Sequence, residues 1–268
     1  MNHARSVTFF RVRVGVLLCI LAAVGLWAWH DVRARRGRKT WDRSLHIAVV
    51  LLRVAPVDEE YFAAIREKAA VFEQRLDGEM RRYRPRAPRP FVLTVLGPVN
   101  VAAPPPAPDG DGLIDLARLS WASWRYVRAV DEAGGVDSGF DSRIYVVVGA
   151  SSSADRSFVD GHSEQDGRIG TVTIEMNADP TSADFAWIVV AHELFHTLGA
   201  TDRYDERGRT LVPLGLAEPA LVPVFPQKYL EVMARNVPLS ATEERPPENL
   251  DELAVGPTTA REIGWIGP

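Results

Sequence analysis

The chain has 268 residues, enough for one large domain or two small ones, and a hydrophobic content of 46% can supply a sizeable core. A formal net charge of -4 gives no electrostatic basis for binding nucleic acid, so we expect no nucleic-acid partner. The only cysteine is Cys19, which excludes a disulfide within the chain.

The chain begins with an apolar run, residues 14–29, that has arginines on both sides. Its length of about 16 residues lies between a signal-peptide core and a spanning helix. Trp27 and Trp29 lie where an interfacial aromatic belt would be. The run therefore predicts an uncleaved single-pass membrane anchor. The alternatives are a cleaved signal peptide, with a cleavage site near Gly25, and a buried helix.

Three apolar runs predict strands buried in a sheet, over residues 45–52, 91–96 and 143–148. Segments with helical spacing of apolar residues lie between them, over residues 58–83 and 113–133. Strands that alternate with helices are typical of an α/β fold. We therefore expect an α/β (α+β) domain built on one mixed, twisted sheet.

Two weaker segments follow the third strand. Residues 151–170 are polar and predict a loop. Residues 171–176 alternate polar and apolar side chains, as a half-exposed strand does. Their charge and short length predict a strand at the edge of the sheet.

The next segment predicts a buried helix. Thr181 and Asp184 have the spacing of a capping box, and residues 185–198 are apolar almost all round. Gly199 follows at the position where glycine favours a left-handed C-terminal cap. A buried helix that also carries two histidines and a glutamate needs partners for these polar groups, and a metal ion would provide one.

Residues 192–202 of this helix and its end read H-E-x-x-H-x-x-G-x-x-D. His192 and His196 are four residues apart, so they share a helix face and can offer two nitrogens to one zinc ion. Glu193 can act as general base on a zinc-bound water. The break at Gly199 lets Asp202 reach the same metal as third ligand. Three protein ligands and a water make an open, catalytic zinc site.

At His192, Glu193, His196 and Gly199 the chain resembles the metzincin clan of zinc metallopeptidases, whose signature continues H-x-x-G-x-x-H and is followed by a Met-turn. Position 202 departs from that signature, because Asp stands where most of the clan has His. An aspartate there resembles the snapalysin-like branch of small bacterial proteases. The departure leaves Asp205 as the nearest alternative ligand. The specific resemblance covers residues 192–233.

The resemblance implies a zinc-dependent endopeptidase that holds one catalytic zinc ion. It implies that Met233 is the methionine of the Met-turn, an apolar floor under the metal that does not bind it. It also implies a short terminal helix, read here at residues 258–265, and an edge strand, read at 171–176, that pairs with an extended peptide substrate.

Two other functions remain open. One is a catalytically inactive, zinc-stabilised domain that binds extended peptides. The other is a different HExxH hydrolase whose third ligand is Glu218 or Glu231. Several further residues have both a functional and a structural interpretation: Tyr204 and Tyr229 as oxyanion donors or packing residues, His162 as a ligand of a second metal or a solvent-facing loop residue, Asp160 and Asp166 as an unproven calcium site, His46 as structural, and residues 211–226 as a wall of the substrate pocket.

The predicted organisation is an anchor and basic linker over residues 1–40 and a peptidase domain over 41–268. The domain divides into an N-terminal subdomain, 41–199, and a C-terminal subdomain, 200–268. The excess of arginine over lysine indicates a GC-rich bacterial source. The basic cluster at 33–43 favours a cytoplasmic domain by the positive-inside rule, whereas a secreted-type protease activity favours an extracytoplasmic one, which we expect.

Overall fold

The computed structural model describes residues 2–107, 110, 112–150, 158–176 and 182–267. The chain divides into two units after Thr40. The first unit is one helix, α1 (Asn2–Arg38). Within the described residues, the segment Arg13–Arg38 is the one helix that is long and apolar enough to cross a membrane, with a mean hydropathy of 1.7.

The second unit is built on a five-stranded sheet with the order β2-β1-β3-β5-β4. Neighbouring strands are parallel except for β4, which runs antiparallel to β5. A mixed sheet within an α/β domain is therefore confirmed. The strands are β1 (Leu45–Arg53), β2 (Phe91–Asn100), β3 (Ser142–Ala150), β4 (Phe158–Ser163) and β5 (Ile169–Met176).

Helices cover both faces of this sheet. Since successive side chains of a strand point to opposite faces, one strand contributes to two cores. Ile47, Val49 and Leu51 of β1 belong to the larger core, which α2 (Glu59–Tyr83) and α4 (Ala183–Thr197) complete on one face. The intervening β1 side chains, Ala48, Val50 and Leu52, belong to a second core under α3 (Leu113–Gly134). Burial on both faces explains the unbroken apolar run of β1.

The edge of the sheet differs from the prediction. Residues 158–163, expected to be loop, form β4, and β4 rather than 171–176 is the edge strand. The pairing places Gly161 opposite Val172 and His162 opposite Thr171. Backbone hydrogen bonds make this pairing, so an edge strand needs no alternation of apolar side chains. The polar sequence Asp-Gly-His-Ser therefore gives no indication of a strand.

The chain beyond α4 has little regular structure. Two short pairs occur: β6 (Leu230–Glu231) is parallel to β9 (Leu253–Ala254), and β7 (Val237–Pro238) is antiparallel to β8 (Glu244–Arg245). The C-terminal helix α5 (Pro257–Glu262) confirms the predicted terminal helix, with bounds slightly earlier than expected. Trp265, just beyond α5, is buried in the same core as α4.

Candidate metal centre

Helix α4 is buried on nearly every side, as its composition predicted. Trp187, Leu194 and Phe195 are fully buried in the larger core. His192 and His196 leave one narrow face accessible, with 14% of each side chain exposed. The helix therefore presents two imidazoles to solvent from an otherwise apolar element.

The helix ends in a Schellman motif centred on Gly199. Gly199 has a φ of +88°, its N–H donates to the carbonyl of His196 at 2.8 Å, and the N–H of Ala200 donates to that of Phe195 at 3.0 Å. Only a residue without a Cβ adopts this φ without strain. The motif turns the chain sharply, and Asp202 comes back beside the histidines.

Three ligand atoms form a nearly equilateral triangle. The Nε2 atoms of His192 and His196 are 3.2 Å apart, and Oδ1 of Asp202 is 3.1 Å from each of them. Tetrahedral ligands at zinc bond lengths of about 2.0–2.1 Å lie about 3.3–3.4 Å from one another. The triangle therefore has the size that three of four zinc ligands require.

The outer ring nitrogens show which atoms face the centre of this triangle. Nδ1 of His192 lies 2.9 Å from the carbonyl of Val232, and Nδ1 of His196 lies 3.0 Å from the carbonyl of Ala200. A carbonyl accepts only, so each Nδ1 carries the proton and each neutral Nε2 presents a lone pair. Two lone pairs and a carboxylate oxygen then converge, an arrangement that a cation stabilises.

A proton on Nε2 gives the cluster a second arrangement, in which an imidazole donates to Asp202. Burial raises the pKa of Asp202, but hydrogen bonds with His192 and His196 outweigh it and hold that pKa well below its usual range. Burial lowers the pKa of His196, but Asp202 and the Ala200 carbonyl outweigh it and raise that pKa. A proton on the imidazole is therefore the competitor of a metal ion at this site.

Glu193 lies beside the triangle and not in it. Its carboxylate comes within 4.8 Å of the ring nitrogens of both histidines. Ser163, the last residue of β4, donates from Oγ to Oε2 of Glu193 at 2.5 Å. Burial raises the pKa of Glu193, although Ser163 and the histidines oppose the shift. No sequence pattern indicated Ser163, because the polar segment that forms β4 predicts a loop.

Gly161 of β4 makes room for this carboxylate. A Cβ at Gly161 would lie 2.1 Å from Oε1 of Glu193, far inside van der Waals contact. Any larger residue would displace the carboxylate or the strand. The edge strand and Glu193 are thus fitted to one another, and a side chain at position 161 would change where the carboxylate of Glu193 lies.

The segment with the expected Met-turn lies against the other histidine. Met233 is fully buried and belongs to the larger core, and its neighbour Val232 supplies the carbonyl that orients His192. The N–H of Ala234 donates to the carbonyl of Glu231 at 2.8 Å and closes a tight turn. Met233 thus lies in a turn directly after Val232, the residue whose carbonyl contacts His192.

Neither alternative glutamate has a carboxylate in the cluster. Glu231 is fully buried, and its two oxygens accept from the N–H groups of Met233 at 2.7 Å and Gly256 at 3.2 Å. Burial raises its pKa. Glu218 lies outside the residues that line the cleft described below. Glu231 therefore supports the turn and leaves the third position to Asp202.

Tyr204 is the tyrosine at the site. Its ring stacks on that of His192, with centroids 6.1 Å apart and 26° between the planes. Burial and the charge of Asp202 raise the pKa of Tyr204 to about 12, so its hydroxyl stays neutral and can donate. Tyr229 instead packs under Arg75, whose guanidinium carbon lies 5.3 Å from its ring centroid.

Asp205, the alternative third ligand, faces away from the cluster. Its Oδ1 accepts from the N–H groups of Arg207 and Arg209, both at 2.9 Å, in a local turn. Its side chain is exposed. The carboxylate is therefore used by its own loop.

The remaining predicted residues lie outside the triangle. His162 is exposed on β4, although it lines the cleft, and the side chain of His46 is exposed on β1. Thr181 and the side chain of Asp160 are outside the described residues. Ligand atoms of His192, Glu193 and His196 lie within 4.8 Å of one another, and Asp202 joins them through its 3.1 Å distances to both histidines. Among the described residues, Asp166 belongs to no such group.

A cleft runs along both sides of the cluster. Its two halves share Gly161, His192, Glu193 and Tyr204. One half continues past Ser163 to Thr201. The other half is lined by apolar and polar side chains together, and its exposed surface is mainly polar. No described residue of 211–226 lines it; the walls are Phe185, Ile188, Val189, Leu230, Val232 and Ala234, and the polar residues are Arg207, Arg235 and Asn236.

Comparisons with known proteins give a sparse result. No family model matches the chain, and no curated protein matches it in sequence. Among solved structures, the archaemetzincin of Methanopyrus kandleri aligns over 61% of this chain and 78% of its own, with 16% sequence identity and a TM-score of 0.30. The function of the domain is therefore inferred from the geometry of its own site.

Proposed function

We propose that the domain is a zinc-dependent endopeptidase of the metzincin type. The observation that carries the proposal is the triangle of His192 Nε2, His196 Nε2 and Asp202 Oδ1, with edges of 3.1–3.2 Å. Both Nδ1 atoms are fixed by backbone carbonyls, so the lone pairs converge. His192, His196 and Asp202 are the residues that would hold one zinc ion. The buried Met233 would form the apolar floor.

A zinc ion bound there supplies Lewis acidity, which lowers the pKa of a water and polarises a peptide carbonyl. Glu193 accepts the proton of the attacking water and returns it to the leaving amine nitrogen. Its raised pKa brings the carboxyl closer to working pH, which suits a group that must both take and release a proton. Ser163 holds the carboxylate in place through its Oγ. Tyr204, neutral and next to Asp202, offers a hydrogen bond to the oxyanion.

The substrate is an extended peptide that adds to the edge of β4 that no described strand covers. Such pairing uses main-chain hydrogen bonds and gives affinity without sequence specificity. Because Gly161 lies against Glu193, a peptide paired along β4 passes directly over the general base. The half of the cleft lined by Phe185, Ile188 and Arg235 would then receive a side chain next to the cleaved bond.

The proposed protein is tethered to a membrane through residues 14–29, within the helix that is long and apolar enough to span one. The catalytic domain, residues 41–268, would lie on the extracytoplasmic side. A tether of this kind keeps the enzyme at the bilayer while the cleft remains in water.

The test combines metal content and turnover. Purified full-length protein should contain about one zinc per chain by elemental analysis and should cleave an unfolded protein substrate. Glu193→Gln should keep the zinc and lose turnover by about 100-fold or more, because it removes the general base and no ligand. Glu206→Gln, at an exposed glutamate, is the matched control and should behave as wild type.

Each failure has its own meaning. Folded protein without zinc after purification in the absence of chelators would overturn the metal assignment. Zinc with no cleavage of any peptide library would leave a zinc-stabilised peptide-binding domain. Turnover that Glu193→Gln leaves unchanged would refute the role of the general base while keeping the metal.

A further inference from the structure

The outer face of α3 carries large apolar side chains that no described part of the domain covers. Leu113 is 86% exposed, Trp121 60% and Trp124 56%, and Ile114 is likewise exposed. Of the whole helix, only Val130 is fully buried. Exposed apolar residues in a continuous patch mark an interaction surface more often than an ordinary solvated one.

These residues share one side of the helix. At about 100° per residue, positions 113, 114, 121 and 124 fall within an arc of about 100°. The opposite side, which includes Tyr126, Val127 and Val130, packs on the second core. Both sides of the helix therefore carry apolar side chains. Among the described residues, only the side that faces the second core is covered.

Arginines lie within the exposed face. Arg118, Arg125 and Arg128 occupy the same side of the helix. The guanidinium of Arg125 lies 4.8 Å from the ring centroid of Trp121, and that of Arg128 lies 5.5 Å from the ring of Trp124. Trp rings with arginines beside them match the boundary between acyl chains and anionic headgroups, where the ring enters and the guanidinium meets phosphate.

The acidic residues of α3 offset part of this positive charge, and Glu132 is exposed on the same side of the helix. Asp131 is turned inward, where it accepts hydrogen bonds from Arg143 and from Tyr145. Asp115 is 3.8 Å from Arg118 in an exposed pair of small energetic weight. Three arginines against Asp115 and Glu132 leave the exposed face apolar with a small positive excess, which is complementary to an anionic membrane surface.

We propose that the outer face of α3 is a membrane-docking surface that binds an anionic lipid bilayer. The same chain carries a helix able to span that bilayer, so the surface would work at the high effective concentration of a tethered module and need only modest intrinsic affinity. The proposal goes beyond the peptidase activity and does not depend on it.

Docking through α3 would fix how the cleft faces the membrane. Helix α3 covers the face of the sheet opposite to the one that carries α4 and its histidines. A domain that rests on α3 therefore holds α4 and the cleft on the side of the sheet away from the lipid. The cleft would accept soluble peptides and not lipid-embedded ones.

The test uses the full chain in nanodiscs of phosphatidylcholine with or without phosphatidylglycerol. On a Cys19→Ser background, Leu113→Cys is labelled with an environment-sensitive fluorophore, and Val222→Cys, at a position 92% exposed, is the matched control. A nitroxide-bearing lipid should quench the label at 113 several-fold more than the label at 222, and more strongly with the anionic lipid present.

Two further variants separate the contributions. Adding Trp121→Ser and Trp124→Ser to the labelled chain should remove the extra quenching in both lipids, whereas Arg125→Gln with Arg128→Gln should remove only the part that depends on phosphatidylglycerol. Both pairs lie on an exposed face, so the fold should persist, as unchanged circular dichroism would show. Glu193→Gln should dock as wild type, which separates this proposal from the peptidase.

Equal quenching at 113 and 222 would overturn the proposal. Protection of the label at 113 that rises with protein concentration in detergent, without any bilayer, would overturn it as well and assign the surface to a second copy of the chain.

Discussion

The two histidines of the centre have the same chemistry but are oriented in opposite ways. His196 is held by the carbonyl of Ala200, four residues away, within the turn that ends its own helix. His192 is held by the carbonyl of Val232, forty residues away, in a segment that only the tertiary fold brings near. One half of the centre is therefore local in the sequence, and the other is assembled from a distance.

The difference predicts how each half fails. The local half depends on a helix cap that forms whenever α4 forms. The remote half depends on Glu231, whose carboxylate accepts from Met233 and Gly256 and so fixes the backbone around Val232. A substitution can weaken one half without changing the other, and the zinc affinity measures the effect in both cases.

Asp202→Ala should have the largest effect, because Asp202 closes the triangle for both halves. We expect zinc affinity to fall by more than about 100-fold, beyond what the loss of an outer partner costs, and peptide cleavage to be lost. Competition with a chromogenic chelator measures the affinity. Asp205→Ala is the matched control, since its carboxylate bonds only to its own loop. If zinc binding and cleavage both survive in Asp202→Ala, the metzincin-type ligand set is wrong.

Glu231→Gln should weaken the remote half. Both carboxylate oxygens accept from backbone N–H groups, so in either orientation the amide NH₂ of glutamine would face a donor. We expect zinc affinity to fall by about 10–100-fold and the free energy of unfolding by about 1–3 kcal/mol. Glu218→Gln, outside the cleft, should change neither. If the loss of zinc affinity is no larger than the loss of folding free energy accounts for, Glu231 has a purely structural role.

Gly199→Ala tests the local half and should have a smaller effect on the metal. A Cβ at a φ of +88° is strained, which costs about 1–2 kcal/mol of stability. Because the cap can relax with its helix, we expect zinc affinity to fall only a few-fold. Gly78→Ala, in the exposed middle of α2 with open space around it, should instead stabilise by about 0.5–1 kcal/mol. Thermal unfolding of the two variants compares them directly; equal destabilisation would contradict the role given to the cap.

What could be predicted from the sequence follows the same division. The positions of His192, Glu193 and His196 follow from helical periodicity, and the place of Asp202 follows from a glycine at the helix end. The central strands were visible because burial on both faces demands unbroken apolar runs, as in β1. Local rules were sufficient for these features.

What escaped prediction depends on pairing at a distance. Ser163 and Gly161 hold Glu193 from β4, a strand whose side chains carry no apolar pattern. Placing 171–176 at the edge was wrong for the same reason, since nothing local reveals that another strand will pair beyond it. The carbonyl of Val232 was equally hidden, because any residue type offers a carbonyl. The sequence therefore predicts ligands better than the groups that orient them.

Asp141→Asn should have the smallest effect. Asp141 contacts neither histidine of the centre, so the variant serves as a baseline for both halves. The carboxylate of Asp141 accepts from both terminal nitrogens of Arg43, at 2.6 and 2.7 Å, and from the N–H of His46 at 3.0 Å. Burial raises its pKa, but Arg43 and His46 outweigh burial and lower it. Because Arg43 is largely exposed, solvent screens the pair, and we expect a loss of roughly 1 kcal/mol at neutral pH with zinc affinity unchanged.

The sign of the pH dependence follows from that lowered pKa. The folded protein binds this proton less readily than the unfolded chain, so the stabilisation is complete above the ordinary aspartate pKa of about 4 and is lost as pH falls through the folded-state value. Urea unfolding between about pH 7 and about pH 3 should show a steeper acid loss in wild type than in Asp141→Asn, with the curves converging at the acid end. Parallel curves would mean that Arg43 does not hold Asp141 in its charged form. A change in zinc affinity would mean that the start of β1 is coupled to the centre, so that the local and remote halves are not independent of the rest of the sheet.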